Sequence, residues 1–297
     1  MTTLSTCPVC GSGKYKTHLE VKDYFLTQED FIILECMNCQ FRFVNPQPAG
    51  NELAMYYKSD DYISHHASRK GLFTFVYRFI RNYNFGKKLS YIRRLSRGTN
   101  VLDIGCATGD FLVFLKQKGY TVSGIEPDSD SREYAVRTNG IDVGDEADIM
   151  VIPDQSKDVI SMWHVLEHVP ALNQRLDQLS RILKNDGALF IALPNCDSAD
   201  AIKYGKFWAG YDVPRHLWHF TQNNCKLLFE KHGFELKETI PMKFDSYYVS
   251  LLSEKYLHGS KNIFRAIKNG CASNRYAKKN NLNYSSLIYV FNKKAVN

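Results

Sequence analysis

The sequence predicts an α/β fold: a Rossmann-like, seven-stranded, mostly parallel sheet with helices on both faces, preceded by a small zinc ribbon. Apolar runs alternate with helical patterns from residue 100 onward, which favours a parallel sheet covered on both faces. Two Cys-x-x-Cys pairs lie near the N-terminus. The 297 residues allow one substantial domain and a small module. We therefore divide the chain into a zinc ribbon at 1–48, a helical linker or lid at 49–98, and the α/β domain at 99–297.

The zinc ribbon is predicted from the spacing C-x2-C-x25-C-x2-C, formed by Cys7, Cys10, Cys36 and Cys39. Four thiolates from two tight turns satisfy tetrahedral Zn²⁺ and leave no position for water, so the metal is expected to be structural. Two disulfides are the alternative, which a reducing cytoplasm disfavours. The ribbon could contact RNA, a protein partner or the substrate, or it could only brace the fold.

The segment 51–97 is predicted to be mainly helical. Its apolar residues recur near a 3.6-residue period at Leu72, Phe75, Val76, Phe79 and Ile80. The arginines and lysines among them would let such a helix lie on a membrane surface or on a substrate. An aromatic stripe of this kind is more typical of packed core or of a lid, and we favour a lid.

Seven apolar runs are predicted strands, and four amphipathic patterns are predicted helices. The strands are VLDIG, YTVSGIEP, Ile141–Val143, KDVISMW, ALFIALPN, a run that begins near Phe234, and SSLIYVFNKK. The helices are DFLVFLKQKG, SREYAVRTNG, RLDQLSRILKNDG and residues 223–237.

A ligand pocket is expected at the ends of the first two of these strands, since open parallel sheets bind ligands beyond the carboxyl ends of their strands. The first strand ends at Gly105, and Gly109 starts the following helix. Glycines here let backbone N–H groups approach a ligand with no Cβ in the way. Glu126 ends the second strand, at the distance of roughly 20 residues from which a carboxylate accepts hydrogen bonds from ribose hydroxyls.

The turn between these glycines excludes two common phosphate-binding fingerprints. A dinucleotide fingerprint would read G-x-G-x-x-G, but Ala107 stands in place of the second glycine, and no G-K-S or G-K-T tripeptide of a P-loop follows. Asp103 and Asp110 are unfavourable neighbours for a pyrophosphate and favourable ones for a cation. A sulfonium ion with an amino-acid tail meets that description, so the pocket is predicted to bind S-adenosylmethionine (SAM).

DIGCATGDF, the acid of IEP, WHVLEHV and ALPN, in this order, resemble a class I SAM-dependent methyltransferase over residues 99–240. CPVC, CMNC and NPQP, with the later FWAGYDVPRHLWHF, resemble a bacterial type 23/12-like subgroup that carries an N-terminal zinc-binding segment. The resemblance implies that Gly105 and Gly109 line the methionine end of SAM and that Glu126 binds its ribose. It further implies three cofactor-binding residues, namely Asp103, Trp163 and Asp145, the last for the adenine amine with Glu146 as the alternative.

The residues after KDVISMW are open to two interpretations. His164, Glu167 and His168 spell H-x-x-E-H, a motif that also occurs in inverted metalloproteases. Because the motif follows an apolar strand, where the methyltransferase pattern has W-x-x-L-E-H, we interpret it as part of a methyl-transfer site. His168 is a candidate base, and His216 in PRHLWHF is the second, because a neutral imidazole can take a hydroxyl proton. A hydrogen-bonded structural role is the alternative for each.

Other polar residues receive weaker assignments. Arg215 and Tyr247 are candidates for holding an anionic acceptor. His219 and the pair His65–His66 are expected to lie at the surface or to pack.

Basic residues are concentrated in two segments. Residues 62–102 and 255–297 each contain nine Lys or Arg and no acid, so the rest of the chain carries −11 of the net charge of +7. Such a separation suits an anionic partner, for instance a phosphate, an acidic glycan or nucleic acid. Two solvated basic helices are the alternative. The N-terminus lacks the features of a secretory signal, and no apolar run approaches the roughly 20 residues that span a bilayer, so a soluble, cytoplasmic protein is expected.

The predicted function is SAM-dependent methyl transfer to a hydroxyl, or less favourably to carbon or nitrogen. The resemblance implies a small-molecule, glycan or secondary-metabolite acceptor, and the basic segments predict that it is anionic. An RNA methyltransferase that docks through the zinc ribbon and basic segments is one rival. The absence of N-P-P-Y after the fourth strand disfavours transfer to an adenine or amide nitrogen. A non-catalytic SAM-binding scaffold is the other rival, although every position needed for SAM is present.

Overall fold

The computed structural model describes residues 1–57 and 72–294, which contain eleven strands in two sheets. The strands are β1 (Tyr15–Lys22), β2 (Asp30–Cys36), β3 (Arg42–Val44), β4 (Asn100–Ile104), β5 (Thr121–Ile125), β6 (Val143–Gly144), β7 (Lys157–Trp163), β8 (Leu183–Pro194), β9 (Trp218–His219), β10 (Phe234–Pro241) and β11 (Ser286–Lys293). The larger sheet has seven strands in the order β10-β11-β8-β7-β4-β5-β6, and β11 runs antiparallel to the others. The predicted Rossmann-like architecture is confirmed.

Nine α-helices lie within the described residues. They are α1 (Gly50–Leu53), α2 (Leu72–Leu95), α3 (Asp110–Lys116), α4 (Ser129–Arg137), α5 (Leu172–Ile182), α6 (Ala199–Tyr204), α7 (Gln222–Lys231), α8 (Asp245–His258) and α9 (Ile263–Lys279). Among these helices, none is both long enough and apolar enough to cross a membrane. The apolar stripe predicted at 72–80 and the pair His65–His66 lie outside the side chains that the structure describes.

The parallel strands bring distant residues to one edge of the larger sheet. Ile104 is paired with Ile125 across β4 and β5, and with Met162 across β4 and β7. The residues that directly follow these three strands therefore lie side by side, where doubly wound sheets bind their ligands. This edge carries the site described below.

Two predicted helices end earlier than expected. RLDQLSRILKNDG was expected to stay helical to Gly187, but α5 ends at Ile182. The carbonyls of Arg181 and Ile182 accept hydrogen bonds from the backbone of Gln155 and Ser156 at 2.9 and 3.0 Å, so the chain leaves the helix to pair with β7. Likewise α7 stops before Gly233, whose positive φ of 81° is readily adopted only by glycine. The third strand lies at Val143–Gly144, two residues later than its predicted start at 141.

The smaller sheet joins the N-terminal module to the rest of the chain. Its order is β1-β2-β3-β9, and the short β9 pairs Trp218 with Phe43 and His219 with Arg42. One hydrophobic cluster runs from Cys36 and Phe43 of the module to the strands of the larger sheet. The division of the chain at residue 48 stays a prediction about sequence modules; in space, the two parts share a core.

A buried ion pair fixes the two parts to each other. Arg215 lies between β8 and β9 in the chain, and its side chain is 4% exposed. It donates to Asp23, in the hairpin after β1, at 2.8 Å and to Asp212 at 2.7 Å. A third hydrogen bond of 3.1 Å goes to the carbonyl of Tyr56. The guanidinium is therefore fully engaged inside the protein.

We expect Arg215→Met to lower the free energy of unfolding by about 3–5 kcal/mol, because it leaves a carboxylate buried without its cation. Burial favours the neutral carboxyl, but Arg215 holds the pKa of Asp23 below its ordinary value. The ion pair therefore stabilises the protein fully at pH values above the pKa that Asp23 has in the unfolded chain. This contribution is lost as the pH falls through the lower pKa that Asp23 has in the folded protein. Urea unfolding at several pH values measures it, with the exposed Arg275→Met as the matched control. An equal loss in both variants would contradict the assignment.

Candidate active site

The glycine turn after β4 adopts a left-handed backbone at three of its five residues. Gly105, Ala107 and Gly109 have φ values of 72°, 48° and 74°. A Cβ on Gly105 would lie 2.4 Å from a methyl carbon of Val165, so the position has no room for a larger residue. The turn therefore passes closely beneath the loop that follows β7, and its role as a ligand cradle stays a prediction.

Glu126 directly follows β5 and closes this turn. Its Oε2 accepts a hydrogen bond from the backbone N–H of Ala107 at 2.8 Å, and its Oε1 accepts one from that of Asp128 at 2.9 Å. Burial raises the pKa of Glu126, although both N–H groups oppose the shift. Each carboxylate oxygen keeps a lone pair, so the group can still accept the two hydroxyl hydrogen bonds of a ribose.

Asp103 lies in β4, two residues before Gly105. It is 3% exposed and accepts a hydrogen bond from the Ser161 hydroxyl at 2.5 Å. Burial raises its pKa to about 6, against the attraction of the Lys88 ammonium. Burial likewise lowers the pKa of Lys88 to about 8. The Lys88 ammonium offsets part of the negative charge of Asp103, and the remaining negative charge attracts a cationic ligand.

Trp163, the last residue of β7, forms one wall of this region. Its ring packs edge-to-face on Phe111 with centroids 6.0 Å apart, and the Lys88 Nζ lies 4.0 Å from the indole centroid. Lys88 was not singled out in the sequence, because nothing in the periodicity of α2 distinguishes it from the other lysines there. Only the packing of α2 against α3 identifies it, through Leu89 and Phe111 in one hydrophobic cluster.

Asp145 and Glu146, the two candidates for the adenine amine, are both exposed. Asp145 accepts a hydrogen bond from the N–H of Ala147 at 2.8 Å and begins the 3₁₀ helix Glu146–Met150. Glu146 is paired with the buried Arg175. This pairing favours Asp145 over Glu146 for the adenine, and the role of Asp145 stays a prediction.

His164 begins the loop after β7 and is tied to two acids. Its Nε2 lies 3.1 Å from a carboxylate oxygen of Asp245, and its Nδ1 lies 3.5 Å from one of Glu167. Burial disfavours the imidazolium, but these acids prevail and raise the pKa of His164 to about 10. His164 is therefore cationic near neutral pH and does not serve as a base. Asp245 is a partner that the sequence analysis missed, since it lies far away in the chain at the start of α8.

His168 and His216, the two candidate bases, lie against each other with ring centroids 4.5 Å apart. The His168 Nδ1 lies 3.0 Å from the carbonyl of Arg215 and 2.9 Å from the hydroxyl of Tyr57. The His216 Nδ1 lies 2.9 Å from the carbonyl of Gly210. Burial, followed by the nearby His216, lowers the pKa of His168 to about 4, so this imidazole is neutral at physiological pH.

The remaining candidates have structural partners. Arg215 is committed to its two aspartates, so the assignment of this residue to an anionic acceptor is wrong. The Tyr247 hydroxyl lies 3.5 Å from the sulfur of Cys271, between α8 and α9. His219 is buried and packs edge-to-face on Tyr211, as expected for a packing residue.

The four cysteines of the N-terminal module converge as predicted. Their sulfurs all lie within 4.8 Å of one another, with 3.6 Å between Cys7 and Cys39 and 3.5 Å between Cys10 and Cys36. Four thiolates at about 2.3 Å from one zinc ion would be separated by distances of this order. Asn224 of α7 donates to the carbonyl of Cys39 at 2.6 Å, so the cluster also abuts the α/β domain. The residues fit a closed, structural zinc site.

Comparison with known proteins gives consistent results. The sequence pattern of the methyltransferase domain family matches residues 77–239. The chain is 26% identical over 168 residues to a protein of Mycolicibacterium smegmatis named a probable S-adenosylmethionine-dependent methyltransferase, covering 54% of this chain and 62% of the relative. It is 33% identical over 122 residues to a ubiquinone biosynthesis O-methyltransferase of Glaesserella parasuis, covering 36% and 52%. The chain thus spans about half to two thirds of the length of these curated relatives.

Among solved structures, a methyltransferase from Burkholderia thailandensis has a similar fold. It is the 1,6-didemethyltoxoflavin N1-methyltransferase, solved with 1,6-didemethyltoxoflavin and S-adenosylhomocysteine. The TM-score is 0.51 at 15% sequence identity, and the similarity covers 88% of this chain and 99% of that one. This likeness shows the fold alone.

We expect the protein to contain one tightly held zinc ion that depends on the four cysteines. Cys39→Ser should lose the zinc and lower the melting temperature by at least about 5 °C, because metal-binding energy is folding energy at such sites. Zinc content is measured with a colorimetric chelator after unfolding, and melting by circular dichroism. Cys271→Ser, outside the cluster, is the control. Full zinc content in the Cys39 variant would rule out this site.

The affinity for SAM is expected to rise with pH through the titration of Asp103. With a pKa of about 6, the carboxylate that attracts the sulfonium is mostly protonated at pH 5, so SAM should bind up to about tenfold more weakly there than at pH 7. S-adenosylhomocysteine lacks the sulfonium charge and should show a smaller dependence. The affinities for both ligands are measured by calorimetric titration at pH 5 and pH 7, with the wild-type protein and with Asp103→Asn. Parallel pH profiles for SAM and S-adenosylhomocysteine would contradict it.

Proposed function

Because this chain belongs to the methyltransferase domain family, we propose that it is a SAM-dependent enzyme. It transfers a methyl group to a hydroxyl of an anionic small-molecule, glycan or secondary-metabolite acceptor. The observation that carries the cofactor assignment is the closed arrangement of Glu126 over the glycine turn, with Ala107 donating to its carboxylate at 2.8 Å. We place the protein in the cytoplasm, where thiols such as those of its cysteine cluster stay reduced.

The cofactor is held along the carboxyl edge of β4 and β5. Glu126 would accept the ribose hydroxyls, and the turn from Gly105 to Gly109 would accommodate the methionine end. Asp103 would balance the positive charge of that end. When bound, SAM supplies a methyl carbon that its sulfonium charge has already activated. The protein then has to align the nucleophile and take up its proton.

His168 and His216 are assigned to the acceptor hydroxyl. Both Nδ1 atoms face backbone carbonyls, which can only accept, so each Nδ1 carries the hydrogen and each Nε2 keeps a lone pair. A neutral imidazole with a free Nε2 can take the hydroxyl proton as the new O–CH₃ bond forms. Support for oxygen as the acceptor atom comes from the similarity to a ubiquinone biosynthesis O-methyltransferase.

The anionic character of the acceptor is supported by the two helices that belong to the basic segments, α2 and α9. Tyr83 of α2 packs edge-to-face on Phe244, the residue directly before Asp245. The Nζ of Lys87 lies 5.6 Å from the centroid of the same Tyr83 ring. Asn274 of α9 donates to the carbonyl of Lys243 at 2.8 Å. Both helices therefore contact the residues just before α8, whose first residue, Asp245, is paired with His164. Their positive charge would favour an anionic acceptor on this side of the site.

The same basic residues are what an RNA methyltransferase would need, so RNA remains the second candidate acceptor. The cysteine cluster favours a bracing role over RNA docking, because it is packed against α7. Lys231 donates to the carbonyl of Pro8 at 3.0 Å, and Asn224 donates to that of Cys39. Salt-sensitive binding of a structured RNA would favour this second candidate over a small acceptor.

Calorimetric titration of the zinc-loaded protein with SAM tests the cofactor assignment. We expect saturable binding that Glu126→Ala weakens by about 100-fold, since two hydrogen bonds to a charged group are lost. Glu133→Ala, an exposed residue paired with Arg137 on α4, is the matched control and should bind normally. Circular dichroism verifies that both variants fold. If the folded wild-type protein does not bind SAM, the proposed enzyme function fails.

A further inference from the structure

We propose that Glu167, His168 and His216 form a second metal site, which binds a divalent first-row metal ion beside the acceptor hydroxyl. The inference rests on the proposed function, because it concerns the same acceptor side of the site. One potential ligand atom from each of the three residues lies within 4.8 Å of the other two. The site is distinct from the cysteine cluster in both its residues and its donor chemistry.

The two histidines are oriented as metal-binding histidines are. Each donates its Nδ1–H to a backbone carbonyl, His168 to Arg215 at 3.0 Å and His216 to Gly210 at 2.9 Å. Metal-ligating histidines nearly always fix the other ring nitrogen in this way, which selects the tautomer and makes the free nitrogen a better ligand. Both Nε2 lone pairs are thus available to an ion.

The buried carboxylate of Glu167 is the second feature that points to a bound cation. Its side chain is fully buried, and within the described residues neither carboxylate oxygen accepts a hydrogen bond. The Oε1 lies 3.5 Å from the Nδ1 of His164, whose Nε2 lies 3.1 Å from Asp245, and among the described residues no ion pair involves Oε2. A buried carboxylate is costly unless a cation or a metal ion compensates its charge, and His164 compensates that of Glu167 only in part because it is also paired with Asp245. A cation between Glu167 and the two imidazoles provides that compensation.

The donor set identifies the chemical class of the ion. Two imidazole nitrogens and one carboxylate oxygen form a ligand set that is typical of catalytic zinc and of related divalent metals. Such a set leaves one coordination position open for an external oxygen. Four thiolates, by contrast, leave none. The Asp212 carboxylate lies 4.0 Å from the Nε2 of His216 and adds negative charge to the surroundings.

A bound ion changes how the acceptor is activated. Since both Nε2 lone pairs are then occupied, the ion takes the place of the free imidazole as the activating group. The metal would lower the pKa of an acceptor hydroxyl at the open position, and the proton would pass to solvent. The oxygen could then form the O–CH₃ bond as the S–CH₃ bond of SAM breaks, with S-adenosylhomocysteine as the leaving group.

The test is a titration of zinc-loaded protein with CoCl₂ after a brief treatment with a weak chelator. We expect one Co²⁺ per chain with the visible bands of nitrogen- and oxygen-ligated cobalt, and without the thiolate charge-transfer bands of a cysteine site. Glu167→Gln and His216→Gln should each weaken this binding by about 100-fold or more, because loss of an outer partner of a ligand already costs 10- to 100-fold. His258→Gln, an exposed histidine at the far end of α8, is the matched control.

Three outcomes would overturn the second metal site: no cobalt bound by the folded protein, cobalt bound only with thiolate bands, or equal binding by wild type and both folded variants. SAM calorimetry on the same samples separates this inference from the proposed function. SAM binding without cobalt binding removes the metal site and leaves the proposed function intact. Cobalt binding without SAM binding supports the metal site and removes the proposed function.

Discussion

The buried ion pair of Arg215 with Asp23 and Asp212 is the constraint on which the acceptor side of this protein depends. Separating Arg215 from either acid would leave a charge without a partner in the core, so the N-terminal hairpin and the segment before β9 are held in one relative position. The carbonyl of the same Arg215 faces the Nδ1 of His168, and the N–H of Leu217 donates to the carbonyl of Glu167 at 2.8 Å. One structural ion pair thus sets the distance between two histidines that are remote in the chain.

The two sides of the site have opposite electrostatic characters. On the cofactor side, Asp103 and Glu126 are buried acids, and their negative charge is partly balanced by Lys88. A cationic ligand that binds there has to compete with this ammonium, which is held near the carboxylate by the packing of α2. On the acceptor side, burial keeps His168 neutral. Because the Nδ1–H groups of His168 and His216 face backbone carbonyls, the reactive atoms are the two Nε2 atoms with their lone pairs. The cofactor side therefore attracts positive charge, and the acceptor side offers electron pairs.

Much of the cofactor side could be predicted from sequence, because it is built from local signals. Gly105, Gly109 and Glu126 directly follow apolar strands, and parallel pairing alone brings strand ends together. The acceptor side depends on tertiary contacts that leave no local signal. Neither the pairing of Arg215 with Asp23 nor that of His164 with Asp245 has any periodicity or spacing that would reveal it. Helix α5 ends earlier than predicted because of a tertiary contact too: its last carbonyls accept hydrogen bonds from the loop before β7.

The pairing of β3 with β9 has a consequence for the order in which the protein acquires its structure. During synthesis the cysteine pairs leave the ribosome well before Trp218–His219, the strand that completes their sheet. Until then Phe43 and the edge of β3 lack their native cover, and an uncovered strand edge is where unwanted association begins. Early zinc capture would hold the two cysteine hairpins together during this interval. The metal would then act as a folding scaffold for the nascent chain before it acts as a brace in the finished protein.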